Sequence, residues 1–258
     1  MAFMHTTTRD PKTWLRLGFL ALGAWLFARI IPYAGPDSLD FVAPRAVDLS
    51  ILFSITVGFL MYKTLNRRTA LDEHIALELN KVRRIFHLSF YIRRASPELD
   101  DWFQRIRSAI IDYLEAFRSH GFEYYQKGNP LFRAITYTIY SLPSRGKAYN
   151  NELFNALMMA SGQATEAREY IRSKKADLIG RFPWMVVIVI SLAFGAFIAA
   201  STPHDSFLRT VVALTIFCLF LVLQLIAEHD RDNAPRERAL AKRYLDNLKA
   251  IETAQTEY

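Results

Sequence analysis

The sequence has a single cysteine, Cys218, among its 258 residues. One thiol can neither close a disulfide within the chain nor assemble a cysteine-based metal site. Its place inside the most apolar stretch marks it as a packing residue. Equally absent are a GxxxxGKS/T phosphate loop, a dinucleotide fingerprint, an HExxH zinc pair and a GxSxG nucleophile turn. The expectation is therefore a protein that is not an enzyme and needs no cofactor. The six histidines are scattered. The triplet Asp72-Glu73-His74 occupies adjacent helical positions that cannot converge on one point, so it reads as a solvated helix surface.

What the chain does contain is apolar residues in blocks. Hydrophobic residues make up 52% of it with a mean hydropathy of only +0.07, a value that a soluble protein would share. The distribution decides between the two. Four stretches, Trp14–Tyr33, Phe41–Tyr62, Phe182–Ala200 and Phe207–Ala227, are each about 20 residues, the length at which a helix crosses a hydrocarbon layer of ~30 Å. Arg16, Arg29, Arg45 and Asp48 lie near the ends of the first two, where long side chains snorkel and a carboxylate stays hydrated. Leu17–Phe27 lacks a small-residue cleavage site before Arg29 and Pro32, so it reads as a retained segment rather than a signal peptide.

Charge follows the same division. Of the 32 Lys and Arg residues, 29 lie at the N-terminus up to Arg16, in residues 63–181 or after Ala227; only Arg29, Arg45 and Arg209 fall elsewhere. The positive-inside rule then places both termini and the middle segment in the cytoplasm, within a plasma (inner) membrane. The net charge of +7 is explained by that topology, with the bilayer as partner and no nucleic acid. The expected fold class is an all-α integral membrane protein: a leader (1–13), two crossings (14–62), a helical cytoplasmic domain (63–181), two more crossings (182–227) and a cytoplasmic C-terminal helix (228–258).

Residues 63–181 carry helical periodicity interrupted by turn signals at Ser96-Pro97, Gly121, Gly128-Asn129-Pro130 and Pro143 to Gly146. No Gly or Pro stands between Gly58 and Arg94, so the second crossing is expected to continue unbroken into the cytoplasm. Ser96-Pro97-Glu98 supplies an N-cap, a first-turn proline and a carboxylate at the positive helix end. The helix it starts has an apolar stripe of Trp102, Ile106, Ile110, Tyr113 and Phe117, read as core. A third long helix is expected over Asn150 to Ile179, giving way at Gly180 and Pro183, and a final exposed helix from about Pro235 to Thr253.

Two groups bear on function. Glu228, Asp230 and Asp232 offer oxygen ligands that a hard cation such as calcium uses. Arg231 interrupts them and no glycine turn is present, so a hydrated helix exit is the plainer reading. On the second crossing, Ile51, Ile55 and Phe59 recur every four residues on one face, with Asp48 above and Tyr62 and Asn66 below. Around a symmetry axis this face would line a hydrophobic constriction between two wet vestibules, a geometry that gates by dewetting. Packing against another helix of the same subunit is the alternative.

The four-crossing layout, the run Ile51-xxx-Ile55-xx-Gly58-Phe59 and the Asn66-Arg67 helix entering the cytoplasm resemble the bestrophin and bestrophin-like ion channels. The resemblance covers most of the chain as architecture and residues 48–84 as motif. It implies a homopentamer conducting inorganic ions, with Ile51, Ile55 and Phe59 in the pore neck and Asp48, Tyr62 and Asn66 at its mouths. It also implies a second, cytoplasmic constriction, placed here around Leu153, Phe154 or Leu157. The tail departs from the family, reading Glu228-His-Asp230-Arg-Asp232-Asn-Ala-Pro235 where many members have an acidic segment followed by Pro-Phe-Gly. Selectivity stays open: Asp48 would attract cations, whereas residues 63–181 hold 20 basic against 13 acidic residues. A stator-type proton-channel motor subunit shares the order of crossings, and a membrane-anchored scaffold or sensor would need only the cytoplasmic helices. Residues 49–62 and 183–200 lack the ionisable groups that a motor requires at mid-depth.

Overall fold

The computed structural model describes residues 11–123, 125–142, 151–231 and 234–253. Residues 1–10 of the expected leader and the turn signal from Pro143 to Gly146 lie outside them. Among the described residues every regular element is helical: α1 (Pro11–Ile30), α2 (Leu39–Ala95), α3 (Asp100–His120), α4 (Asn129–Tyr140), α5 (Asn151–Ala176), α6 (Arg181–Ser201), α7 (Ser206–Asp230) and α8 (Ala234–Thr253). Three of them, α2, α6 and α7, are long and apolar enough to cross a membrane.

The unbroken second helix is present. α2 runs 57 residues, with Pro44 in its second turn, where few intrahelical bonds are at stake. At 1.5 Å per residue it is roughly 85 Å long, well beyond the thickness of a bilayer. The chain divides into two compact units, Met1–Leu65 with Ile179–Arg231, and Asn66–Leu178 with Asp232–Tyr258.

In the first unit α1 packs on α7 and α6. The contact is built from small residues, Ala24, Ala28, Ala199 and Ala213, with Val212 and Ile216. Such residues let helices approach closely where lipid offers no hydrophobic drive. Gly195 belongs to this logic, since a Cβ there would meet Phe27 Cε1 at 3.3 Å. The end of α1 leaves carbonyls without intrahelical donors. Arg209 of α7, buried, supplies them, its Nη1 donating to Ala28 O at 2.6 Å and Ile31 O at 2.9 Å. What reads in sequence as a stray outer charge is a helix cap. Phe53, Leu60, Val187, Leu223 and Ile226 form the second apolar cluster of this unit. Cys218, expected to pack, is instead exposed on α7, because the buried face of that helix is the one bearing Val212, Ala213 and Ile216.

The second unit has one core, to which α2 contributes Leu71, Ile75, Val82 and Ile85, and α3 its expected stripe of Trp102, Ile106, Ile110, Tyr113 and Phe117. Three expectations need correction. Ser96 does not cap α3 with its hydroxyl; the chain enters through a 3-10 turn, Pro97–Leu99, held by Leu99 N donating to Ser96 O at 3.0 Å. The third long helix stops at Ala176, before Gly180, because the Ile179 amide finds the Asp230 carboxylate at 3.0 Å instead of a helical carbonyl. The C-terminal helix is not exposed all round: Leu240, Ala241, Tyr244, Leu248 and Ile251 recur on one face and are buried in the core.

Candidate functional site

The two faces of α2 in the first unit have opposite fates. Phe53 and Leu60 are buried against α6 and α7 residues. Ile51, Ile55, Phe59 and Tyr62 are 56%, 66%, 65% and 68% exposed on the chain. Four large apolar or aromatic side chains at three- and four-residue spacing are thus left largely uncovered by the described residues of the subunit. The polar side chains beside them are turned back on their own helix: Ser54 Oγ donates to Ser50 O at 2.8 Å and Thr56 Oγ1 to Leu52 O at 2.8 Å. Between Ile51 and Phe59 the exposed face is therefore mainly apolar, the Ser54 and Thr56 hydroxyl protons being spent on their own helix, and it becomes polar at the Tyr62 hydroxyl. Gly58, between Ile55 and Phe59, has nothing within 4 Å of where a Cβ would stand. Above this face, the exposed Asp48 accepts from Arg45 at 3.4 Å, a pairing that offsets its charge. Asn66, at the start of the second unit, is exposed.

The residues suggested for a lower constriction divide. Leu157 is wholly buried in the core of its unit, and Leu153 and Phe154 pack half-buried against that core. Leu157 is thereby committed to holding the domain together. The acidic residues after the fourth stretch also separate. Asp230 is buried on the Ile179 amide, and Glu228 accepts from Gln224 at 3.1 Å. Asp232 lies outside the described residues, among which no group of three or more potential metal-ligating side chains converges. Asp72 and His74 point to different partners, Asp72 to Arg243 at 3.1 Å and His74 to a ring stack on Tyr170 at 3.8 Å.

Sequence reasoning missed a polar centre inside the second unit. Glu78 of α2 is completely buried. It accepts from the hydroxyls of Tyr113 (α3), Tyr125 (the turn before α4) at 2.7 Å and Tyr244 (α8) at 2.9 Å, and from Arg168 (α5) Nη1 at 3.2 Å. Arg168 also donates to Tyr113 Oη at 2.6 Å and Tyr125 O at 3.1 Å, and its guanidinium lies over the rings of Tyr125, Phe132 and Tyr113 at 4.3, 5.0 and 5.2 Å. Gly128 lets this turn close in, since a Cβ would meet Tyr113 Cε2 at 3.3 Å. The signal was present in the spacing. Leu71, Ile75, Glu78, Val82 and Ile85 step by four and three along one face, so the carboxylate occupies a core register position, which requires buried partners.

Burial pushes the pKa values of Tyr113, Tyr125 and Tyr244 well above the usual phenol range, and the neighbouring Glu78 charge adds to it. Burial alone works against the Arg168 cation; the surrounding Tyr113, Tyr125 and Glu78 groups outweigh it and raise its pKa, so the guanidinium stays charged. For groups whose folded pKa is raised, the associated stability is fully present below the unfolded value and is lost as pH climbs toward the folded one. The three phenols are thus expected to resist ionisation above pH ~10, the unperturbed value, and to ionise only as this unit unfolds. Phenolate absorbance should show a late, cooperative component coinciding with loss of helicity. Tyr→Phe at these positions should shrink it, whereas a titration with no late component would show that the hydroxyls are open to solvent.

Comparison with known proteins now bears on this geometry. No curated protein and no solved structure matches the chain. The Bestrophin-like domain matches residues 16–234, which include α2 with its exposed face, α6, α7 and all of the Glu78 centre except Tyr244. The chain belongs to the bestrophin-like family, membrane proteins of ion-channel type.

Proposed function

We propose that this chain is one subunit of a homopentameric channel that conducts ions passively and catalyses no reaction. α1 joins α2, α6 and α7 as a fourth crossing, with both termini and the Glu78-centred unit in the cytoplasm of a cell bounded by the plasma (inner) membrane. The neck is formed by Ile51, Ile55 and Phe59 of each subunit, opening at Asp48 on one side and at Tyr62 and Asn66 on the other. The single observation that carries this reading is the apolar face of α2 that is left largely uncovered by the described residues of its own subunit while the opposite face is packed. Copies of that face meeting around an axis form a narrow passage walled by Ile51, Ile55 and Phe59, with the Ser54 and Thr56 hydroxyl protons donated to their own helix. Leu153 and Phe154, half-buried, are the side chains left to shape a cytoplasmic narrowing once Leu157 is assigned to the core.

The test has two parts. Mass measurement of the detergent-solubilised particle should give five copies and no stoichiometric partner, and reconstitution into planar bilayers should give current. A monomer, or a verified pentamer that passes no ion under any applied voltage, would sink the channel reading. A stoichiometric second protein would favour a scaffold or a motor subunit.

A further inference from the structure

Away from the neck, the second unit carries a concave groove of about 570 Å³ between the C-terminal end of α3 with its following turn and the first turns of α8. That size lies within the roughly 300–1,000 Å³ typical of small-molecule sites. Its floor is apolar, formed by the partly exposed Leu245 and the edge of Ala241, with Phe122 wholly buried beneath. Its rim is cationic, with Arg118 from α3 and Arg238 and Lys242 from α8. Arg238 and Lys242 are four residues apart, hence on one face of α8 with Cβ atoms about 6 Å apart, a like-charge spacing that works against the helix.

The carboxylates of the groove do little to neutralise this rim. Glu237 is ion-paired with Lys175 at 3.5 Å, and Arg118 pairs with Glu115 at 2.7 Å while still facing the groove. Glu123 is left opposite Arg238 and Lys242, neither of which makes an ion pair among the described residues. The wall is held firmly. Lys175 donates to the backbone carbonyls of Phe122 and, at 2.9 Å, Glu123, and Gly121 takes the positive φ of 63° that this turn requires.

The geometry points to a binding site for a small amphiphilic anion, a carboxylate or phosphate head on an apolar body the size of one ring or a short chain. The head sits among Arg238, Lys242 and Arg118, and the body lies on Leu245 and the edge of Ala241. A free organic anion and the headgroup region of an anionic lipid offer the same chemistry. The assignment does not depend on whether the chain conducts ions.

Titration calorimetry on the full-length protein in phosphatidylcholine nanodiscs, with octanoate, octyl phosphate and octanol as probes, tests it. Both anions are expected to bind saturably, with octanol at least tenfold weaker. The double variant Arg238→Glu/Lys242→Glu should weaken anion binding tenfold or more without moving the melting temperature, and Leu245→Trp, which narrows the groove from a partly exposed position and keeps the charges, should weaken it as well. Phosphatidylglycerol in the nanodiscs distinguishes the sources. If it lowers the apparent affinity for octyl phosphate in the native protein but not in the double variant, a lipid headgroup competes for the groove; if it does not, the ligand is a free anion. Equal binding of octanol, undiminished binding by both variants, or no saturable binding in either nanodisc would overturn the proposal.

Discussion

Arg168→Met is expected to lower the melting temperature of the Glu78-centred unit by about 10 °C or more, the largest effect of any single substitution in that unit. The substitution keeps the bulk of the side chain and removes the one cation that pairs, among the described residues, with the fully buried Glu78. Breaking a buried pair by taking one partner away costs about 3–5 kcal/mol, because the remaining charge has no water to turn to. Domains are stable by only about 5–15 kcal/mol, so such a loss is a large share of the total. Three tyrosine hydroxyls still donate to Glu78 and limit the damage, but neutral donors do not replace a charge. Adding Glu78→Gln to Arg168→Met removes the stranded charge and should recover about half the loss, whereas Arg168→Lys, which lacks the fork that reaches both Glu78 and the Tyr125 carbonyl, should fall between. A melting curve for Arg168→Met within ~2 °C of the native protein would mean that the pair is not closed off from solvent.

The centre also bears on how the unit is assembled. Glu78 gathers one group each from α3, the turn before α4, α5 and α8, so four separate segments of chain register on a single carboxylate. Apolar burial supplies most of the stability and tolerates sliding; a charge that needs all of its donors at once does not. α8 in particular is tied by Tyr244 to Glu78, by Asn247 Nδ2 to Leu79 O at 3.0 Å, and by stacking of Tyr244 on Phe117 at 3.8 Å.

Much of this architecture was legible in the order of residues, for reasons that can be named. The continuity of α2 followed from the absence of Gly and Pro after Gly58, a local property of the backbone. The α3 stripe followed from periodicity, and its residues are the buried ones. Reading failed where a long-range partner overrides a local signal. Ser96 has the identity of a cap, yet the turn is closed by backbone groups; α5 ends where Asp230, distant in sequence, supplies an acceptor; α8 looks soluble by composition until its stripe is placed against Phe117. The Glu78 centre was hidden for the same reason: the carboxylate is visible in the α2 register, but which of the tyrosines and arginines answer it is a matter of tertiary structure. The spacing of the α2 face was legible, because it is a property of one helix; its exposure, as against packing on a neighbouring helix, was left open by the sequence and is seen only in the structure.

That face leads to the second large effect, in conduction. If Ile51, Ile55 and Phe59 form the narrowest dry segment of an axial pore, the barrier to an ion there is the cost of wetting an apolar ring. Replacing Phe59 by Ala widens that ring and removes apolar surface in every copy at once, so a small saving per subunit is multiplied by five. A tenfold rise in current corresponds to about 1.4 kcal/mol off the barrier, or about 0.3 kcal/mol from each of five copies. Phe59→Ala is therefore expected to raise single-channel conductance or open probability by about tenfold, and Ile55→Ala with it by more. Leu60→Ala, one position on but buried against α6 and α7, should lower the stability of the membrane unit and leave conductance unchanged in the channels that assemble. Bilayer recordings of the three variants separate the two roles of the helix. Conductance that responds to Leu60→Ala and not to Phe59→Ala would place the permeation path on the other side of α2 and remove the neck from Ile51, Ile55 and Phe59.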